Sequence, residues 1–291
     1  MYGTIQRVAA IHDLSGFGRG SLTAVIPTLS TMGIQVCPLP TAILSNHTGG
    51  FDSYSYVDLT DSMEDFINEW KKLDLHFDCI YSGFLGSTRQ INIICDFIDH
   101  FANDKNFVVV DPVMGDDGKL YSAFDTSIIE EMRKLVAKAD VITPNFTEAA
   151  YLLGEDPEKK DFDVNTAKEW LKRLSDMGPS TVIITSAPDI EHEKNTNVLA
   201  YDRKGETFWK VGCQYIPAAY PGTGDTFASV VIGSLLQRDS LPVALDRATQ
   251  FISQCIKASY GYNYPKRDGV LLEKELEILK MPVLISGYEM I

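Results

Sequence analysis

Basic charge is scarce in this chain: its 291 residues carry 26 Lys and Arg against 40 Asp and Glu, a net charge of −14. Such a surface repels nucleic acid and anionic lipid. It also repels phosphate-bearing ligands, so a phosphate site must rest on backbone donors, a metal ion and a few local cations. Cysteine is sparse too. Cys37, Cys79, Cys95, Cys213 and Cys255 are scattered without CxxC or metal-ligand spacing, and they read as small hydrophobes in a reducing compartment. The five histidines (His12, His47, His76, His100 and His192) show no metal spacing. No apolar run approaches the roughly 20 residues of a membrane span, and Met1–Arg7 lacks the charged-then-apolar pattern of a secretory leader. A cytoplasmic protein with no nucleic-acid or membrane partner is expected. No Gly-x-x-x-x-Gly-Lys-Ser/Thr loop occurs, and no Gly-x-Ser-x-Gly elbow. The run Gly16-x-Gly18-x-Gly20 does not fit Gly-x-Gly-x-x-Gly, and no acid closes the second strand to bind a ribose, which argues against a dinucleotide fold.

Hydrophobic residues are plentiful, at 45% of the chain, enough for one large core. Short apolar runs alternate with helical patterns. Strands are predicted at Val8–Ile11, Ile34–Cys37, Asp78–Tyr81, Phe107–Val110, Asp140–Thr143 and Thr181–Ile184. Helices are predicted over 21–32, from an Asp61/Glu64 capping box to Leu73, and over 88–101, 126–137, 164–177, 225–237 and 243–259. Arg203-Lys204-Gly205 between two apolar runs signals a hairpin. Alternating strands and helices predict an α/β fold with a mostly parallel sheet. No repeat or linker divides the chain, so 1–291 is read as a single domain. Phe51, Tyr54 and Tyr56 suggest either a small β flap over a pocket or a plain surface hairpin.

In open α/β sheets ligands bind beyond the carboxyl ends of the strands. Polar loops fall there six times in succession. Asp13 and Ser15 follow the first strand, Ser45-Asn46-His47-Thr48 the second, and Ser82-Gly83-Phe84 the third. Asp111-Pro112 follows the fourth, Thr143-Pro144-Asn145-Phe146-Thr147-Glu148 the fifth, and Thr185-Ser186 the sixth. Near the C-terminal end stands Gly222-Thr223-Gly224-Asp225-Thr226, opening an apolar helix. Glycine lets main-chain N–H groups close on an anion, and a helix N-terminus adds unpaired donors. Asp225 is then either a base beside a phosphate or an ordinary helix cap. Asp111 and Glu148 are either Mg²⁺ carboxylates or local caps. His47 is either a contact for an aromatic heterocycle or a local hydrogen-bonding residue.

Taken together, these segments from Val8 to about Ser259 resemble the ribokinase superfamily, and within it the pyridoxal/pyridoxamine kinases. Gly222-Thr223-Gly224-Asp225 looks like the superfamily's anion hole and catalytic aspartate. Ser45-Asn46-His47-Thr48 is similar to the loop that meets the pyridine substrate. Asp111-Pro112-Val113-Met114-Gly115 and Thr143-Pro144-Asn145-x-x-Glu148 look like its nucleotide and metal segments. The resemblance implies a three-layer αβα ribokinase-like fold, a homodimer, ATP and Mg²⁺. It also implies phosphoryl transfer to the 5′-hydroxymethyl group of a B6 vitamer, with Asp225 as base. Asp13, Ser15, His47, Thr48 and Phe84 would meet the vitamer. Asp111, Thr143, Asn145, Glu148, Thr185, Ser186 and Thr223 would meet ATP, with Asp111 and Glu148 at the metal. Three positions depart from the pyridoxal kinase pattern: Asp13 stands where serine is frequent, Gly49 where glutamine is, and Phe84 where tyrosine is. Asp13-x-Ser15-Gly16 is similar instead to the hydroxymethylpyrimidine kinases, which usually place cysteine where this chain has Asp225. A kinase for hydroxymethylpyrimidine or another small alcohol, and a non-catalytic nucleotide-binding protein, are the rival readings.

Overall fold

The computed structural model describes residues 5–159, 161–188, 195–214, 216, 218–282 and 287–291. The strands in chain order are β1 (Arg7–Ser15), β2 (Gln35–Leu44), β3 (Tyr56–Asp58), β4 (Cys79–Ser82), β5 (Phe107–Val110), β6 (Gly115–Asp116), β7 (Lys119–Leu120), β8 (Val141–Ile142), β9 (Thr181–Pro188), β10 (Asn195–Asp202), β11 (Thr207–Gln214) and β12 (Tyr288–Met290). The helices are α1 (Leu22–Thr31), α2 (Thr60–Lys72), α3 (Thr88–Phe101), α4 (Ser127–Val136), α5 (Phe146–Leu153), α6 (Val164–Asp176), α7 (Thr223–Leu236), α8 (Leu241–Tyr260) and α9 (Leu272–Glu275). The chain divides into two compact units, one within Met1–Gly83 and Ile216–Ser286, the other within Phe84–Tyr215 and Gly287–Ile291.

In the first unit β1 lies between β2 and β4, parallel to both. Val8, Ala9, Ala10 and Ile11 are fully buried, as a parallel strand covered on both faces requires. Each such branched side chain contributes about 1.5–3 kcal/mol. β3 adds antiparallel to β2, pairing Ile43 with Val57, so of the three aromatics only Tyr56 lies in a strand. Helix α1 packs on β1 and β2, and α7 packs on α1 and α8. Helix α7 is apolar all round: Thr226 through Ser234 are buried, so it is held by tertiary contact rather than by an amphipathic stripe.

In the second unit β5, β8 and β9 run parallel, and β10, β11 and β12 continue antiparallel. The Arg203–Gly205 hairpin falls where the sequence places it. Phe146, Phe162 and Trp170 form a buried aromatic cluster between α5 and α6, with Phe146 stacked on Trp170 at 5.2 Å. Among the described residues no helix is long and apolar enough to cross a membrane. Cys79, Cys95 and Cys255 are buried, whereas Cys37 is only half-buried.

Two local expectations are corrected. Strand β1 does not stop at Ile11 but runs to Ser15, with a register shift between His12 and Leu14, so Asp13 and Ser15 are strand residues. The Asp61/Glu64 capping box is not made: Leu59 is the N-cap of α2, and Asp58 accepts from the Thr60 N–H at 2.7 Å instead. The chain turns into the helix two residues earlier, leaving Asp61 in the first turn, where its charge suits the helix dipole.

Candidate active site

Helix α7 opens at Gly222, whose φ of 77° is left-handed and which no side chain caps. A Cβ there would lie 2.0 Å from the Arg19 carbonyl oxygen, so only glycine fits the bend. At Gly224 a Cβ would meet nothing within 4 Å. Glycine at that position serves no internal packing and leaves room for something to approach the backbone. Thr223 turns its hydroxyl onto the Tyr220 carbonyl at 3.1 Å. The first N–H groups of the helix therefore stay available to an anion.

Asp225 stands in the first turn, its side chain 16% exposed. Its Oδ2 accepts from the Ser21 backbone N–H at 2.8 Å. Burial raises its pKa from 3.8 to about 6, the Asp13 charge adds to the rise, and the Ser21 N–H opposes it. At pH 7 the group is an ionised carboxylate whose basicity lies close to neutrality, which suits a general base. Asp13 is buried, takes the Ser21 hydroxyl on Oδ1 at 2.5 Å and the Ser15 hydroxyl on Oδ2 at 3.1 Å. Burial raises its pKa, and these hydroxyls and His47 pull it back. Two acids, Asp13 and Asp225, thus share one partly dry wall of the unit and resist ionising together.

The loop after β2 is tied to the segment near the C-terminus. His47 Nε2 lies 2.6 Å from the Arg267 carbonyl oxygen, and its Nδ1 accepts from the Gly49 N–H at 3.1 Å. With Nδ1 accepting, the Nε2 proton is the one that reaches the Arg267 carbonyl. The ring also packs edge-on to Phe51 at 5.0 Å, and the Arg267 guanidinium lies 4.9 Å over the same Phe51. Thr48 is exposed beside it. Arg19 grips Glu273 through Nε and donates to the Asp268 carbonyl at 3.0 Å. The turn after β1 is pinned by this second clamp.

The second unit holds its own polar cluster. Asn145 caps α5 by accepting from the Glu148 N–H at 2.9 Å, and Glu148 Oε2 accepts from the Asn145 N–H at 2.9 Å, a complete capping box. Glu148 Oε1 takes the Met114 N–H at 3.1 Å. Burial and the charge of Asp111 hold the Glu148 pKa well above its ordinary value, although backbone donors oppose them. Asp111 is buried as well. Two buried acids repelling one another fit a cation that takes one or two carboxylates and completes its shell with water and phosphate. Among the described residues no group of three or more His, Cys, Asp or Glu could hold a metal by itself. Thr143 is buried with no hydrogen-bond partner for its hydroxyl among the described residues, Thr185 is half-buried and bridges backbone to Asn145, and Ser186 is exposed with φ 57°. Phe84 is half-buried against Phe124 at 5.6 Å.

The sequence matches the family model described as phosphomethylpyrimidine kinase over residues 16–269. The chain belongs to the phosphomethylpyrimidine kinase family. A putative phosphomethylpyrimidine kinase from Bacteroides thetaiotaomicron, crystallised with pyridoxal, is 57% identical at a TM-score of 0.96, covering 99% of this chain and 100% of that one. The pyridoxal kinase of Lactobacillus plantarum is 31% identical at a TM-score of 0.86, covering 95% and 97%. A pyridoxal kinase of Arabidopsis thaliana is 30% identical over 258 residues, 85% of this chain and 78% of its own length. The fold is accordingly the α/β one that the strand and helix pattern foretold, and the ribokinase-like one that the resemblance implied.

In this family member the first unit gathers Asp13, Ser15, Gly222, Thr223, Gly224 and Asp225, and ties His47 to the same loop system. The second unit gathers Asp111, Asn145 and Glu148, with Thr185 bridged to Asn145. Three residues went unread in the sequence. Ser21 donates through its main chain, which carries no sequence signal. Arg19 sits inside a glycine-rich turn, where nothing in the local sequence signals its partner Glu273. His12 lies inside an apolar run, where a histidine reads as core, yet its Nδ1 stands 3.6 Å from Asp225 Oδ1.

Proposed function

We propose that this chain is an ATP-dependent kinase that phosphorylates the 5′-hydroxymethyl group of a vitamin B6 vitamer, pyridoxamine, pyridoxal or pyridoxine, in pyridoxal phosphate salvage. The observation that carries the reading is a carboxylate of pKa about 6 in the first turn of an uncapped, glycine-opened helix. That arrangement supplies a base for an alcohol and main-chain donors for the phosphoryl group it attacks. Asp225 accepts the hydroxyl proton, while the N–H groups of Gly222–Asp225 receive phosphate oxygens, Thr223 acting through its main chain because its hydroxyl is given to the Tyr220 carbonyl. Asp13, Ser15, His47, Thr48 and Phe84 are assigned to the vitamer. Because both His47 nitrogens are engaged within the chain, its contribution is the ring surface and the shape of the loop. Thr143, Asn145, Thr185 and Ser186 are assigned to the nucleotide, and Asp111 and Glu148 to Mg²⁺. When bound, that ion neutralises phosphate charge. Support for the substrate comes from the 57% identical relative crystallised with pyridoxal. The 291 residues act as one kinase domain, as a homodimer in the cytoplasm.

The test is ATP-dependent phosphorylation across the three vitamers, hydroxymethylpyrimidine and sugars. The reading expects the highest kcat/KM on a vitamer, and a loss of ~10²-fold or more in Asp225→Asn. Hydroxymethylpyrimidine as the best substrate, which the family model's name would favour, would overturn the vitamer assignment.

A further inference from the structure

His12 lies within β1, fully buried, and neither ring nitrogen has a hydrogen-bond partner among the described residues. The ring is fixed in place. It meets Tyr81 of β4 edge-on at 4.4 Å and lies over Gly83, where a Cβ would come within 2.3 Å of it. Burial lowers its pKa to about 3, so it is a neutral imidazole and its approach to Asp225 is not an ion pair. A buried polar atom left unpaired costs about 1–3 kcal/mol. Nδ1 stops 3.6 Å short of Oδ1 of Asp225, the oxygen that Ser21 does not engage. A shift of about 0.7–0.9 Å would bring it to the roughly 2.7–2.9 Å of a charge-assisted bond.

We propose that His12 is a positioning residue that donates Nδ1–H to Oδ1 of the ionised Asp225, holding the carboxylate in the orientation that accepts the substrate proton. The proposal rests on Asp225 being the base. One carboxylate oxygen is then held by the Ser21 N–H and the other by His12, so the carboxylate cannot rotate away from the hydroxyl. The other groups facing this pair are Asp13 on β1, whose charge raises the Asp225 pKa, and Tyr81 on β4. His47 acts on Asp13, and Asp13 in turn acts on Tyr56. Tyr81 touches the His12 ring directly, and His12→Phe keeps a ring against it.

The test compares His12→Phe, which keeps a ring and removes the donor, with His12→Asn, whose amide nitrogen falls near the place of Nδ1. His12→Phe should lose ~10-fold or more in kcat with KM for ATP nearly unchanged. It should also move the acid limb of kcat/KM up by about one pH unit, because a lost donor disfavours the charged carboxylate. His12→Asn should stay within about threefold of wild type. A folded His12→Phe with unaltered kcat and acid limb would sink the proposal, as would a His12→Asn that falls equally far. Should His12→Phe not fold, the ¹⁵N resonance of His12 Nδ1 in the wild-type protein decides. It should titrate with Asp225 and go flat in Asp225→Asn, and a signal indifferent to both refutes the contact. Full activity of Asp225→Asn would sink the base assignment and this proposal together. An inactive Asp225→Asn beside an unaffected His12→Phe would sink this proposal alone.

Discussion

Replacing Asp225 by asparagine should make the protein more stable while it destroys turnover. The carboxyl pKa is raised from 3.8 to about 6 in the folded chain, so between those values the native state binds more protons than the unfolded state. Stability therefore falls as pH rises through that window, and above it the charged, partly buried carboxylate exacts its full cost. A gap of about two pH units at ~1.4 kcal/mol each sets an upper figure near 3 kcal/mol, and partial solvent access reduces it to about 2. Asparagine carries no charge, and its amide oxygen can still accept the Ser21 N–H. Urea unfolding of both proteins from pH 4.5 to 8 should show a gain of about 2 kcal/mol at pH 7–8 that shrinks toward pH 4.5. A gain that does not depend on pH, or a loss at pH 8, would refute the burial argument. A gain accompanied by undiminished activity would refute the role of the carboxylate.

The two glycines of the anion bend should separate cleanly. Gly222→Ala forces a Cβ onto the Arg19 carbonyl at positive φ and should lower stability by about 2 kcal/mol or more. Gly224→Ala meets open space, so thermal melting should be unchanged or slightly improved while kcat/KM falls ~10-fold as the methyl group obstructs phosphate. Glu148→Gln keeps the capping box but removes charge, and should raise the Mg²⁺ concentration for half-maximal activity ~10-fold with KM for the vitamer unaltered. Asp13→Ser should lower the ratio of kcat/KM on pyridoxamine to that on pyridoxal about fivefold, the loss of an amine's counter-charge. It should also lower the acid limb set by Asp225, because Asp13 raises that pKa.

The sequence by itself determined those features that depend on neighbours in the chain. The spacing of Ile91, Ile94, Phe97, Ile98 and Phe101 gave α3 its bounds at Thr88–Phe101, and Phe107–Val110 emerged as a strand without adjustment. Gly222-Thr223-Gly224-Asp225 foretold a backbone bend at a helix start. Glu148 serves as a local cap, as one of two open readings anticipated, and Asn145 three residues earlier completes the box. Only the tertiary structure decided who stands beside whom. Ser21 reaches Asp225 across 204 residues, and His47 reaches Arg267 across 220. Neither contact leaves a periodicity or a motif, because one partner in each is a main-chain atom that every residue possesses. The same holds for the pKa of Asp225 and the neutrality of His12, which follow from how much water packing removes. Residue order fixes which groups are present; their hydration, and hence their acidity, is a property of the folded volume around them.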